Sequence, residues 1–455
     1  MVIIKKFLES TWFIVIIYAA TLGFWYLKNQ LLAVAFSLAV GLLLALFKTK
    51  KVVYTTLGLG ILINFRDTSF EFNQISVYAI VGILFPFALY SFIKTKFNFK
   101  DLILIAFFVY LGANLLSLIT IPHHLLDEGI AGVLQTLAFV YLYMYLHNRK
   151  EQNDHEYIAK SYCLFGLTIF LEFMLFIASF KGTYTWDKSI ELGWGVTNSI
   201  AMVLLMILPI VIYYLLKRPK HLYLVALIIS LLTFLILTLS KAAYVVLALL
   251  FIPFLLFTYF SRTTKEQKKY YWVSFAMAFV FSLTSYLIAT SSEQLVEGFK
   301  TYILRMDERG WFNDVARLEI YKYAWDLFKQ NPIFGTGSFT AGYYLTLSFN
   351  APLLKHYHNF IMQMLATVGS VGFLAFCFLI IAMIKKAFSY SLFNICVLFA
   401  LLAMIIHGLM DNTFHNPLIM INVVILVAYL EDAPPISLKP ILNKYKKITT
   451  NENPG

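Results

Sequence analysis

The chain has 455 residues, of which 60% are hydrophobic, 17% aromatic and only 13% charged, with a mean hydropathy of +0.76. Soluble domains draw about a quarter of their residues from the charged types to make a polar shell, so soluble folds are excluded and the chain reads as an integral membrane protein. The net charge of +12 then belongs to cytoplasmic loops, where Lys and Arg accumulate, and implies no nucleic-acid partner.

A spanning helix needs about 20 apolar residues, because ~30 Å of hydrocarbon is crossed at 1.5 Å per residue. About fourteen stretches meet or approach this length: 11–27, 31–47, 52–65, 75–93, 101–122, 129–147, 159–180, 192–216, 221–239, 242–260, 270–290, 359–383, 390–410 and 417–430. The third and the last are short enough to be re-entrant. The first follows Lys5 and Lys6 as a signal peptide would, but it lacks an A-x-A site and meets another span at once, so it reads as retained. With the N-terminus inside, every even-numbered connection is basic, including Lys48, Lys50 and Lys51, Lys217, Arg218 and Lys220, and Lys385 and Lys386. The positive-inside rule thus predicts that both termini are cytoplasmic.

The expected fold is all-α: a polytopic membrane protein of about fourteen transmembrane helices with one long extracytoplasmic segment carrying an amphipathic interfacial helix. It divides into N-terminal helices (1–190), core helices (191–290), the extracytoplasmic segment (291–358), C-terminal helices (359–430) and a cytoplasmic tail (431–455). Cys163, Cys377 and Cys396 lie in apolar runs without a CxxC pair, which argues against a disulfide framework or a zinc site.

The extracytoplasmic segment is basic although it lies outside, and long connections tend to be functional. Within it, Asn313 or Asp314 can cap a helix reaching about Gln330, with Val315, Leu318, Tyr321, Trp325 and Phe328 as an apolar stripe lying along the membrane surface. Asn331-Pro332 ends that helix, and Gly335-Thr336-Gly337 reads as a glycine-rich exit turn; it lacks the Lys-Ser/Thr of a P-loop. Arg305 and Arg309 share a helix face and Arg317 follows. Guanidinium groups suit phosphate oxygens, although Asp307, Glu308 and Asp314 stand close enough to make ordinary surface pairs. His356 and His358 bracket Tyr357, and Asn359 opens the next span. An imidazole at the edge of a watery cavity can serve as a general base, whereas two His at i, i+2 are too few for a metal site.

Five more positions are polar where lipid or an interface is expected. Glu172 sits in the apolar run from Phe165 to Phe180, where a carboxylate costs about 2.5–3.5 kcal/mol unless it faces a cavity or partner. Asn198 lies near the outer end of its span, Lys241 at the tight turn of a hairpin, and His407 and Asp411 one turn apart at another outer end. Helix–helix hydrogen bonding or snorkelling would account for each singly. Together, Asn198, Lys241, Arg317, His358 and Asp411 are expected at one interface.

These landmarks, in this order, resemble the O-antigen ligase/polymerase superfamily over roughly residues 190–380. The anchors are Trp194-Gly195-Val196-Thr197-Asn198; Leu237-Thr238-Leu239-Ser240-Lys241; Arg317 through Trp325 to Asn331-Pro332-Ile333-Phe334-Gly335-Thr336-Gly337; and His358-Asn359-Phe360-Ile361 running to Gly369 and Gly372. Two positions depart from the family pattern. Lys241 replaces the usual Arg, and Thr367 or Val368 stands where an acidic residue is often found. The resemblance implies a metal-independent, inverting membrane glycosyltransferase of the bacterial cytoplasmic membrane, without a cofactor, acting on an undecaprenyl-pyrophosphate-linked glycan donor and a glycan acceptor. His358 and Arg317 would be catalytic; Lys241, Arg305 and Arg309 would bind pyrophosphate; Asn198, Asn359, Asp411 and Glu172 would support them. A polysaccharide polymerase, with a chain-length regulator as a further partner, is the favoured member. A ligase to lipid A core and a protein O-oligosaccharyltransferase are the alternatives, and a solute or anion transporter is the alternative of another class.

Overall fold

The computed structural model describes residues 2–64, 100–148, 150–151, 154–179, 190–260, several positions between 268 and 280, 315–350, 355–412, 414 and 416–434. Over the described residues it is all-helical, with an isolated bridge between Glu191 and Val196. In chain order the helices are α1 (Val2–Leu8), α2 (Thr11–Tyr26), α3 (Gln30–Leu46), α4 (Val53–Leu62), α5 (Leu102–Leu116), α6 (Leu126–His147), α7 (Asp154–Ser179), α8 (Thr197–Lys217), α9 (Tyr223–Leu237), α10 (Lys241–Phe260), α11 (Val315–Gln330), α12 (Ala341–Phe349), α13 (Phe360–Ala387), α14 (Leu392–Gly408) and α15 (Pro417–Ala428). Short polar side chains start several of them by accepting otherwise orphaned backbone N–H groups: Ser10 for α2, Asn29 for α3, Asp101 for α5, Ser391 for α14 and Asn416 for α15.

Among the described residues five helical segments are long and apolar enough to cross a membrane by length and composition, Leu102–Ile119, His123–His147, Asp154–Ser179, Thr197–Lys217 and Phe360–Ala387, the last of them interrupted at Gly369. Helices α1 and α2, bent by 57°, make a sixth if they form one span. Helices α3, α4, α9, α14 and α15 are apolar but shorter. The fourteen spans expected from the sequence are therefore not all present as long helices; the stretch 75–93 and most of 270–290 fall outside the described residues. Helix α8 is the centre of the bundle. It is apolar on every face and nearly all of it is buried, as a helix enclosed by others must be, and α7, α9 and α14 pack around it.

The expected single span at 359–383 is instead two helices. Gly369 breaks α13 with φ 67° and ψ −169°, and the rings of Phe360 and Phe376 lie 5.8 Å apart. A straight helix would separate residues so spaced by about 24 Å, so the chain folds back at Gly369. Four backbone groups freed by the break are taken up by the Pro332–Gly337 turn. Thr336 and Gly337 donate to the carbonyls of Ala366 and Thr367 at 2.9 and 2.8 Å, and Ser370 and Val371 donate to those of Pro332 and Ile333 at 2.9 and 3.2 Å. The glycine turn is thus more than the helix exit it resembles in the sequence: it closes a broken helix. Backbone this irregular survives within an apolar bundle only when protein satisfies it. Glycine is needed on both sides, since a Cβ on Gly335 (φ +71°) would stand 2.4 Å from the carbonyl carbon of Thr367, and one on Gly369 would stand 2.3 Å from the carbonyl oxygen of Ile333.

Helix α11 runs beside the first arm of α13. Ile320, Ala324 and Leu327, spaced i, i+4, i+7, form a small core with Tyr357 and Ala366. Of the apolar stripe expected to define this helix, Tyr321 packs against that core, whereas Leu318 and Trp325 face outward, 61% and 44% exposed. The helix therefore carries two apolar lines, one packed on protein and one presented outward. Its expected cap, Asn313 or Asp314, lies outside the described residues.

Candidate functional site

The site forms where the turn after α14 meets the chain entering α13. Asp411 closes the end of α14 with its own N–H on the carbonyl of His407 at 2.9 Å, and its side chain is nearly buried. Its Oδ1 accepts from His356 Nε2 and His358 Nδ1, each at 3.0 Å, and from the N–H of Asn412 at 2.8 Å. Its Oδ2 accepts from Asn198 Nδ2 at 2.7 Å, and Asn198 Oδ1 accepts in turn from Ser240 Oγ at 2.9 Å. Arg317 reaches the same turn, donating to the carbonyl of Met410 at 3.0 Å. Helices α8 and α11, the α9–α10 hairpin, the α13 entry and the α14–α15 turn thus meet at one carboxylate.

Local backbone geometry aims His358. The residue has φ +52°, a left-handed conformation that is uncommon for a non-glycine residue and is held only when neighbours over-determine it. Tyr321 donates its hydroxyl to the His358 carbonyl at 3.0 Å, and the N–H of Tyr357 donates to Gln363 Oε1 at 3.0 Å. Asn359 caps α13 through Oδ1 to the N–H groups of Ile361 and Met362, while its Nδ2 donates to the carbonyl of Leu409 at 2.8 Å. Asn359 therefore ties the helix start to the Asp411 turn.

Burial pushes the Asp411 carboxyl up, but the hydrogen bonds it accepts from His356 and His358, and the charge of these rings when protonated, outweigh it and hold the group well below the usual carboxylate range. An ionised carboxylate accepts only, so His358 carries its proton on Nδ1. Its Nε2 has no hydrogen bond among the described residues and presents a lone pair.

Of the residues expected to act together, Asn198, Arg317, His358, Asn359 and Asp411 join this network, and Lys241 follows Ser240 directly in the chain. Glu172 does not; it is fully buried elsewhere and accepts from Trp194 Nε1 at 2.8 Å. Arg305 and Arg309 lie outside the described residues. His407, one turn from Asp411, is fully buried, and neither ring nitrogen has a hydrogen bond among the described residues. Sequence alone does not mark His356, Ser240 or Asn412 as members of the site. The His-x-His spacing was visible, but its meaning depends on a carboxylate more than fifty residues away.

That carboxylate also corrects the judgement that two His are too few for a metal. The donor atoms of His356, His358 and Asp411 lie within 4.8 Å of one another, the single such group among the described residues. In the structure both ring nitrogens are hydrogen-bonded to one carboxylate oxygen.

Residues 225–377 match the family described as O-antigen ligase. The chain carries a domain of the O-antigen ligase/polymerase superfamily. No curated protein matches the chain. The matched O-antigen ligase segment includes Ser240, Lys241, Arg317, His356, His358 and both glycines of the fold-back. Asn198 and Asp411 lie on either side of it and are joined to it through the network above. The match supports a glycosyltransferase-like membrane protein of the ligase or polymerase type.

Proposed function

We propose that the protein polymerises undecaprenyl-pyrophosphate-linked oligosaccharide repeat units of a surface polysaccharide, O-antigen or capsule, at the outer face of the bacterial cytoplasmic membrane. The observation that carries this reading is His358, with Nδ1 anchored on Asp411, Nε2 open and Arg317 bound to the adjacent turn, inside an O-antigen ligase-type domain. In the proposed step an acceptor sugar hydroxyl attacks the anomeric carbon of the donor glycan. The bond from that carbon to the pyrophosphate oxygen breaks with inversion, and the electron pair leaves on undecaprenyl pyrophosphate. His358 Nε2 takes the hydroxyl proton, help worth about 10²–10⁴-fold. Arg317 and Lys241, with Arg305 and Arg309, bind the pyrophosphate and stabilise its growing charge in place of a metal ion. Lys241 supplies a point charge where the family usually has the guanidinium fork.

The basic connections favour cytoplasmic termini and put the His358 end of the bundle outside. The outward Leu318–Trp325 face of α11 suits the headgroup level, where aromatic rings gather. The same chemistry with lipid A core or a protein as acceptor would make the enzyme a ligase or an O-oligosaccharyltransferase, and a chain-length regulator would join only the polymerase.

Purified full-length protein given lipid-linked repeat units should produce a ladder of polymer lengths that persists in EDTA, and His358→Ala should abolish it without loss of folded protein. A ladder from His358→Ala would remove that residue's role. Transfer only onto lipid A core or protein would exclude the polymerase.

A further inference from the structure

His356 Nε2 and His358 Nδ1 both face Asp411 Oδ1 at 3.0 Å, with the two rings edge to face and their centroids 4.5 Å apart. The Asn412 N–H reaches the same oxygen at 2.8 Å. A carboxylate oxygen offers about two lone-pair directions, so this one is over-subscribed: Asn412 takes one, and two imidazoles contend for the other. A single cation between the rings would relieve that conflict, because it accepts one lone pair from the oxygen and one from each ring nitrogen. The dimensions suit it. Donors bound to a tetrahedral zinc ion at about 2.1 Å stand about 3.4 Å apart, so each nitrogen need draw back from the oxygen by only about 0.4 Å. All three donor atoms already lie within 4.8 Å of one another. Asp411 is also oriented as metal-binding carboxylates usually are, by Asn198 Nδ2 at 2.7 Å on its other oxygen and by the Asn412 N–H. The side chains of His356 and His358 are 30% and 20% exposed, which leaves an entry path and room for water on the ion.

We infer that His356, His358 and Asp411 form a binding site for a divalent transition metal of the zinc class, and that the bound ion switches His358 off as a proton acceptor. Two imidazoles and one carboxylate select zinc or cobalt over Mg²⁺ and Ca²⁺, which favour oxygen ligands. Coordination uses the lone pair of His358 Nδ1, so the one proton of the neutral ring must sit on Nε2. The nitrogen that would take the acceptor hydroxyl's proton then already carries one. No proton is gained or lost, since each ring exchanges one tautomer for the other. The metal site stands independently of the catalytic reading, whereas the switching rests on His358 being the proton acceptor. Arg317 on the Met410 carbonyl, Lys241 next to Ser240 and Lys355 next to His356 oppose a dication, so the ion should be a reversible inhibitor that EDTA withdraws.

The probe is Zn²⁺, with Co²⁺ as its coloured substitute, on purified full-length protein without a histidine tag. The wild type should bind Zn²⁺ stoichiometrically and with no competition from Mg²⁺. Asn198→Ala, which frees the far oxygen of Asp411, should weaken binding about 10–100-fold, and His356→Gln, which removes a ligand but keeps a polar side chain, should weaken it more. His124→Ala removes an exposed imidazole outside the group and should bind as the wild type does. Zn²⁺ should stop polymer formation by the wild type until EDTA is added. In His356→Gln, at least about tenfold more Zn²⁺ should be needed to halve that variant's own metal-free rate. Histidine ¹⁵N NMR reads the switch without turnover, with the His358 signals identified by their absence from His358→Ala: Zn²⁺ should move the His358 proton from Nδ1 to Nε2. Equal Zn²⁺ binding by the wild type and His356→Gln, or none by either, would overturn the site. Binding that leaves the His358 proton on Nδ1 would overturn the switching. Zn²⁺ binding with the tautomer change, in a protein that builds no polymer, would uphold the inference while removing the polymerase reading, so the two failures are separable.

Discussion

Helices α14 and α15 have histidines and acidic groups clustered at both ends, and the two clusters spend their hydrogen bonds in opposite ways. At the end away from Asp411, α15 finishes in carbonyls with no helical partner, and three basic side chains answer them: His147 Nδ1 contacts Ala428 O at 2.9 Å, His155 Nε2 contacts Tyr429 O at 2.7 Å, and Lys150 Nζ donates to Leu430 O at 3.0 Å. The second nitrogen of each ring faces a carboxylate, Asp101 for His147 and Glu431 for His155, both at 3.4 Å. Every ring nitrogen there has an acceptor. At the Asp411 end each ring spends one nitrogen on a shared carboxylate, and His358 keeps the other. A histidine with both nitrogens engaged is an anchor, whereas one with a spare lone pair can take up a proton. The contrast lies in spare bonding capacity and not in residue type, which the two ends share.

The contrast breaks most completely if the fold-back is lost. Gly369→Ala forces a Cβ onto the Ile333 carbonyl oxygen in a positive-φ conformation, and Gly335→Ala does the same to Thr367 across the junction. Either should cost several kcal/mol and leave little monodisperse protein after detergent extraction. Gly58→Ala, with open space at its Cβ, should purify normally. Normal yield and melting temperature for Gly369→Ala would mean that the break in α13 is not needed to seat His358.

Asp411→Asn is the next largest change, and it attacks the Asp411 end alone. An amide cannot supply the anionic oxygen that holds His358 in the Nδ1–H tautomer, so turnover should fall about 100-fold or more while the protein still folds. The same variant has a signature in pH. The Asp411 carboxyl is held below its ordinary value, so its contribution to stability is fully present above the unfolded pKa of about 4 and is lost as pH falls through the lower folded value. The wild type should therefore lose melting temperature in acid below about pH 4 more steeply than Asp411→Asn. Parallel acid limbs would contradict the charge state assigned to Asp411.

Much of this contrast was legible in the sequence on one side only. Arg317, the Pro-x-x-Gly-x-Gly turn, His358-Asn359 and Gly369 are local patterns, and chemistry fixed to short spacings can be read along a chain. The dependence of Gly335 on Gly369 could not be read that way, because it is a backbone contact between segments more than thirty residues apart. Likewise α11 shows one apolar stripe by periodicity, but Ile320, Ala324 and Leu327 on a neighbouring line make the packed face, since an arm of α13 that periodicity does not reveal lies against them. The anchoring end leaves no such pattern. His147, Lys150 and His155 there bind carbonyls of α15, and backbone acceptors leave no trace in residue identity.

The smallest effect is expected at that anchoring end, and it tests the comparison from the other side. Lys150→Met removes the donor to Leu430 O and the contact with Asp432 at 3.2 Å. His155→Gln keeps one donor for Tyr429 O but abandons Glu431. Asn394 continues to hold the Glu431 backbone from both sides, donating to its carbonyl at 2.8 Å and accepting its N–H at 2.7 Å, so the end of α15 should stay in place. Each variant should lower stability by about 1 kcal/mol or less, the range for a cation at a helix C-terminus, seen as a shift of a few degrees in melting temperature. The pH profile of polymer formation should not move, because neither side chain touches Asp411 or its donors. If Lys150→Met or His155→Gln cut turnover as Asp411→Asn is expected to, the two ends would be coupled through α14 and α15, and the division into an anchoring end and a proton-accepting end would fail.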